Sequence, residues 1–223
     1  MLIFIGMKVI SSMGGCASTS LLFWFKKYLD CNCPINSEGL TKSGPGANSK
    51  GLKHRIEPPH NDDAYLLKQN SFNRTDLNYG PIECAVFFYD SPLNIVPSLF
   101  NRKIAGGHAV AITGTRPSHL NSLDNFVNHG KDTFGFYEQF TKWSDAQNQR
   151  TYKRMIVNAS EMWDHLDIIL GFLGIQHTKN QFPLKRPRQT SFNELSTQQQ
   201  SGLLNIYNNL VNDMNNFPDV VVI

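Results

Sequence analysis

The chain has 223 residues, 40% of them apolar, which suffices for one sizeable packed domain and excludes bulk disorder. Its formal charge of +3 is mild, so a small polyanionic ligand suits it better than nucleic acid, which calls for a concentrated basic stripe. Cys16, Cys31, Cys33 and Cys84 have neither disulfide nor zinc-site spacing, and reduced thiols in a cytoplasmic protein are the expectation.

In chain order, Leu2-Ile3-Phe4-Ile5 is too short and lacks the basic flank of a signal peptide, and Met7 is a second possible start. No run approaches the roughly 20 apolar residues of a membrane span. Lys8-Val9-Ile10-Ser11-Ser12-Met13 reads as a strand, Gly14-Gly15 as a tight turn, and Cys16-Ala17-Ser18-Thr19-Ser20 as the entry to a helix reaching about Leu29. Such a turn lets backbone approach an anion at the positive end of a helix dipole, and Ser18, Thr19 and Ser20 add hydroxyl donors. It can equally be an ordinary strand-to-helix turn. An NTPase P-loop is excluded, because no Gly-Lys-Ser/Thr follows. A cysteine-phosphatase loop is excluded too, because Leu21-Leu22 stand where its arginine belongs.

Residues 30–62 shift to Asn, Ser, Gly, Lys and Pro and read as an irregular insert within a single domain spanning 1–223. Inside it, Lys53-His54-Arg55-Ile56-Glu57-Pro58-Pro59-His60 forms a cationic cluster ending in a rigid Pro-Pro. Ile82 to Tyr89 is apolar on both faces, as in a central strand. Pro92 opens a helix through Leu93, Val96, Leu99 and Phe100, ending near Arg102-Lys103. Ile104 to Gly114 is Gly- and Ala-rich and ambiguous. Helices are expected around His119–His129 and Thr133–Trp143, and a third strand over Lys153–Ala159. Ser160 is expected to cap a helix running to about Leu173. Gln176 to Glu194 reads as a loop, and a last helix starts at Ser196 or Thr197 ahead of a short apolar tail. Strands alternating with helices imply an α/β three-layer sandwich with a central parallel sheet.

In this order the segments resemble the sulfotransferases that use 3′-phosphoadenosine 5′-phosphosulfate (PAPS). Ser11 to Leu22 is similar to the family's 5′-phosphosulfate loop. Phe87-Phe88-Tyr89-Asp90-Ser91-Pro92 through Ser98 to Phe100 is similar to its 3′-phosphate motif. Asp132-Thr133-Phe134-Gly135 to Trp143, Met155-Ile156-Val157 and Trp163-Asp164 to Gly174 are similar to its later part. The sequence departs from the pattern at Gly15, where a Lys or Arg is usual, at Asp90, where the motif has Arg, and at Ala159, where an aromatic is common.

The resemblance implies a P-loop-like sulfotransferase fold and transfer of a sulfuryl group from PAPS, without metal, to a hydroxyl or amine on a small-molecule, glycan or lipid acceptor. The product is 3′-phosphoadenosine 5′-phosphate (PAP). It implies that Gly14, Gly15, Cys16, Ala17, Ser18 and Thr19 hold the phosphosulfate, and that Ser98, Arg102, Arg186 and Arg188 serve the 3′-phosphate. His54 is then the general base and Lys53 the cation on the leaving oxygen, with His60 and His108 as lesser candidates for the base. Arg102 and Lys103 can instead simply offset the dipole at a helix end. The sequence favours no nucleic-acid partner and leaves the oligomeric state open. A small-molecule kinase is the alternative enzyme, disfavoured for want of Gly-Lys-Ser/Thr and a magnesium-holding acidic pair. A non-catalytic nucleotide-binding relative is the third reading, motivated by Gly15, Asp90 and Ala159.

Overall fold

The computed structural model describes residues 7–14, 16, 54–60, 81–175, 182, 184–185, 187 and 189–223. The expected helix after Gly15 lies outside them, as do Gly15, Ala17, Ser18, Thr19, Lys53, Arg186 and Arg188.

Four strands form one sheet in the order β1 (Met7–Ser12), β2 (Ile82–Tyr89), β3 (Lys153–Asn158) and β4 (Val220–Val222). The first three are parallel, with Ile10 opposite Val86 and Phe87 opposite Ile156. From Cys84 to Tyr89 every residue of β2 is buried, so both faces of the sheet's centre are covered. A continuous apolar run is what that position demands. The apolar tail departs from the all-parallel expectation: β4 pairs antiparallel with β3, Ile156 opposite Val221. A chain returning from a helix to the sheet edge can close it this way, and the result is a mixed α/β fold with a mostly parallel open sheet.

Among the described residues the helices are α1 (Pro92–Asn101), α2 (Ala105–Thr113), α3 (Leu123–His129), α4 (Phe136–Ser144), α5 (Leu166–Phe172) and α6 (Thr197–Asn215). A 3-10 turn, Ser118–Asn121, precedes α3. Ser91 caps α1 by accepting from Leu93 N, and Pro92 occupies the first turn, where a missing N–H costs nothing. Ser196 and Gln199 close a reciprocal capping box on α6. The ambiguous stretch after Lys103 is helical, as α2. The helix expected from Ser160 starts later, at Leu166, because the chain first runs through turns, with Glu161 N on Asn158 O, Asp164 N on Glu161 O and His165 N on Met162 O. Leu203, Tyr207, Leu210 and Met214 of α6 pack into the core as their spacing requires, while Leu204 stays on the outer face.

Two buried cationic side chains serve the frame. Lys8, at the start of β1, donates to Leu173 O, placing an ammonium on the carbonyl end of α5. Arg154 of β3 donates to Asp145 O at 2.7 Å and to Asn148 O, fastening the turn after α4.

A candidate anion-handling site at the end of β1

The parallel pairing of β1 continues past Ser12, with Met13 N donating to Phe88 O at 3.0 Å, and the chain then turns at Gly14 with φ +92°. That backbone region favours glycine. The turn holds itself: Gly14 N donates to Ser12 Oγ at 3.3 Å, and the buried thiol of Cys16 donates to Gly14 O at 2.9 Å.

Two histidines from distant parts of the chain meet this turn. His54 Nδ1 lies 2.9 Å from Ser12 O, and His108 Nε2 lies 2.7 Å from Met13 O. Their rings stand edge to face, centroids 4.8 Å apart. A carbonyl oxygen can only accept, so each contacted nitrogen carries its proton. In the neutral rings the lone pairs therefore fall on His54 Nε2 and His108 Nδ1. His108 is buried against Phe134 and Phe136, whereas His54 is half-buried.

The segment carrying His54 is fastened along its length by its own carbonyl groups. Arg55 O accepts from Gln139 Nε2 at 2.8 Å and from Trp143 Nε1 at 3.0 Å. Pro58 O accepts from Arg150 Nε and Nη2 at 3.1 and 2.9 Å, and Pro59 O from Tyr152 Oη. Glu57 pairs with Lys142 at 3.7 Å near the surface, where an ion pair contributes little. Hydrogen bonds to the carbonyls of Arg55, Pro58 and Pro59 fix the main chain that follows His54. Gln139 also reaches Ser12 O at 3.5 Å, the carbonyl that His54 holds, and its Oε1 is buried without a partner.

At the carboxyl end of β2, Asp90 is buried and its Oδ1 accepts from Ser91 N at 2.7 Å and Asn94 Nδ2 at 3.1 Å. A carboxylate at the start of α1 is favourable for that helix. Ser98 is partly buried on α1, and Arg102 is the exposed C-cap of the same helix, at the end remote from β2. The structure thus brings together Gly14, Cys16, His54 and His108. It leaves Arg102 without a hydrogen bond to any of them, and it places His60 on the surface. Gln139 and Trp143 escaped sequence reasoning, because a Gln in an amphipathic helix looks solvent-facing. The chain matches no protein-family model, no curated protein and no solved structure. Among the described residues, no helix is long and apolar enough to cross a membrane, and no group of three or more His, Cys, Asp and Glu side chains is placed to hold a metal ion.

Proposed function

We propose that the chain is a PAPS-dependent sulfotransferase with His54 as its general base. One observation supports this reading above the others. The glycine turn that ends β1 carries, on its own carbonyls, an imidazole whose Nδ1 is proton-bearing, so that Nε2 is the basic nitrogen. In the reaction the acceptor oxygen attacks sulfur in line. Its proton passes to His54 Nε2, the new S–O bond forms as the bond from sulfur to the bridging oxygen breaks, and PAP leaves with that oxygen's electron pair. Lys53, next to His54 in the chain, supplies positive charge to the leaving oxygen, standing in for the cation missing at Gly15.

The test begins with calorimetric titration of PAP against ATP and AMP. Selective binding of PAP supports the reading, and binding of ATP alone points to a kinase. An acceptor screen with labelled PAPS follows, with His54→Ala expected to lose about 10²–10⁴ in rate at nearly unchanged PAP affinity. An active acceptor whose turnover survives that change would remove His54 from the chemistry.

Asp90 favours a second reading, a binding protein on the same frame without catalysis. Where the sulfotransferase motif has an arginine, this chain has a buried carboxylate already satisfied by its own helix. PAP binding with no transfer to any acceptor selects that reading.

A further inference from the structure

An open groove of about 590 Å³, lined by neither His54 nor His108, lies between the end of α1, the first turn of α2 and the 3-10 turn before α3. Its size is that of an ordinary small-molecule site. Phe100 and Leu120 give it apolar wall, Ser118 adds a hydroxyl, and Lys103 and Arg116 bring two cations. No carboxylate is among the described residues that line it. Among the described residues, neither cation has a side-chain hydrogen bond or ion pair. Two cationic residues at one cavity, with no carboxylate among its described lining residues, favour an anion there.

The backbone sets the positions of both residues. Lys103 has φ +55°, the left-handed conformation that ends α1, with Lys103 N on Phe100 O and Ile104 N on Leu99 O. Glycine is the usual occupant of that position, since a side chain there is strained. Arg116 lies across Gly106, where a Cβ would come 2.8 Å from its Nε. Bare backbone at 106 is what lets the guanidinium lie down into the groove. A lysine standing where glycine is easier, and a glycine that admits an arginine, both border one cavity.

We propose that this groove binds a small phosphate monoester, its dianion between Lys103 and Arg116 and its body against Phe100 and Leu120. The two unpaired cations match a charge of −2, and a guanidinium grips tetrahedral oxyanions bidentately. The apolar wall asks for a ring or a sugar face rather than a bare ion. The site is independent of the role given to His54.

Phenyl phosphate is the probe, titrated calorimetrically to about 5 mM, a range that reveals millimolar affinity. Phenyl sulfate and inorganic phosphate serve as the comparison arms. Phenyl phosphate is expected to bind more tightly than either. Arg116→Gln should weaken it about tenfold or more, the usual loss of a charge-assisted contact. Lys103→Gly relieves the left-handed strain and removes the ammonium in one step, so the melting temperature should hold or rise while affinity falls by a similar factor. His54→Ala should leave binding unchanged. No binding of phenyl phosphate, affinity undiminished from that of the natural chain in either groove variant, or loss in His54→Ala would each overturn the proposal. Phenyl sulfate binding as tightly as phenyl phosphate would overturn the assignment to a dianion.

Discussion

Residue 14 and His108 compete for one volume: the imidazole fills the place of the missing side chain, and a Cβ at 14 would fall 1.9 Å from its Cε1. The glycine is therefore required twice, by its φ of +92° and by the ring. Gly14→Ala should destabilise the fold by about 2–4 kcal/mol, combining backbone strain with overpacking. A double-mutant cycle by urea unfolding separates the two. His108→Ala in the Gly14→Ala background should recover the overpacking part and leave the strain, giving a clear coupling energy. Simple additivity would show that the ring does not hold this position.

Gln139 offers a second, purely structural check on the His54 segment. Its Nε2 donates to Arg55 O and its Oε1 has no partner. Gln139→Met removes the bond to Arg55 O, the longer contact to Ser12 O and the orphan acceptor together, and should cost about 1 kcal/mol, since Trp143 still serves Arg55 O and His54 still serves Ser12 O. Gln139→Glu should cost about 3 kcal/mol or more at neutral pH, because an ionised carboxylate would be buried against carbonyl oxygens. Protonation converts that carboxylate to a donor, so the folded state raises its pKa and the penalty grows as pH rises through the folded value. Chemical denaturation of both variants at two pH values checks the order.

These residues also mark what the sequence could and could not reveal. β2 and α6 are legible because burial on both faces and burial on one stripe leave periodic signatures in neighbouring residues. α2 is not, since Gly106 and Gly107 are poor helix formers and its stability comes from packing of Ala105, His108, Ala109 and Ile112. At the start of α5 a local signal misled, because the chain runs through successive turns from 159 to 165 and His165, not Ser160, stands at the helix start. In the candidate site, the glycine turn and His54 stand out as types suited to anion chemistry. The pairing of His54 with His108, and the burial of Gln139, depend on contacts between residues about fifty to eighty positions apart. No window of sequence contains them.

Asp132 links α6 to the turn that starts α4: its Oδ1 accepts from Tyr207 Oη at 2.8 Å and its Oδ2 from Tyr137 N at 2.9 Å. Burial pushes its carboxyl above the ordinary aspartate value despite these bonds, and burial with the Asp132 charge pushes the Tyr207 phenol well up. A raised acid binds more protons folded than unfolded, so its stabilising contribution is full below the unfolded value and is lost as pH rises through the folded one. Asp132→Asn keeps an acceptor for Tyr207 but cannot titrate. The stability of Asp132→Asn relative to the natural chain should therefore increase from about pH 4 to pH 7, as urea unfolding across that range would read. A decreasing difference would mean that the hydrogen bonds to Asp132 outweigh its burial.

The sharpest prediction needs no substrate. His54 meets Ser12 O through Nδ1, and His108 meets Met13 O through Nε2. Because carbonyls only accept, the two neighbouring rings must be opposite tautomers when neutral, Nδ1–H in His54 and Nε2–H in His108. Long-range ¹H–¹⁵N correlation spectra distinguish the tautomers directly, with His54→Ala and His108→Ala assigning the signals. A neutral His54 bearing its proton on Nε2 would break the bond to Ser12 O and take away the basic nitrogen that the proposed transfer uses. Gln139→Met, which releases one of the two side-chain donors on Arg55 O, should loosen the contact of His54 with Ser12 O and raise the fraction of the other tautomer at His54, while His108, held to Met13 O in the core, keeps its own.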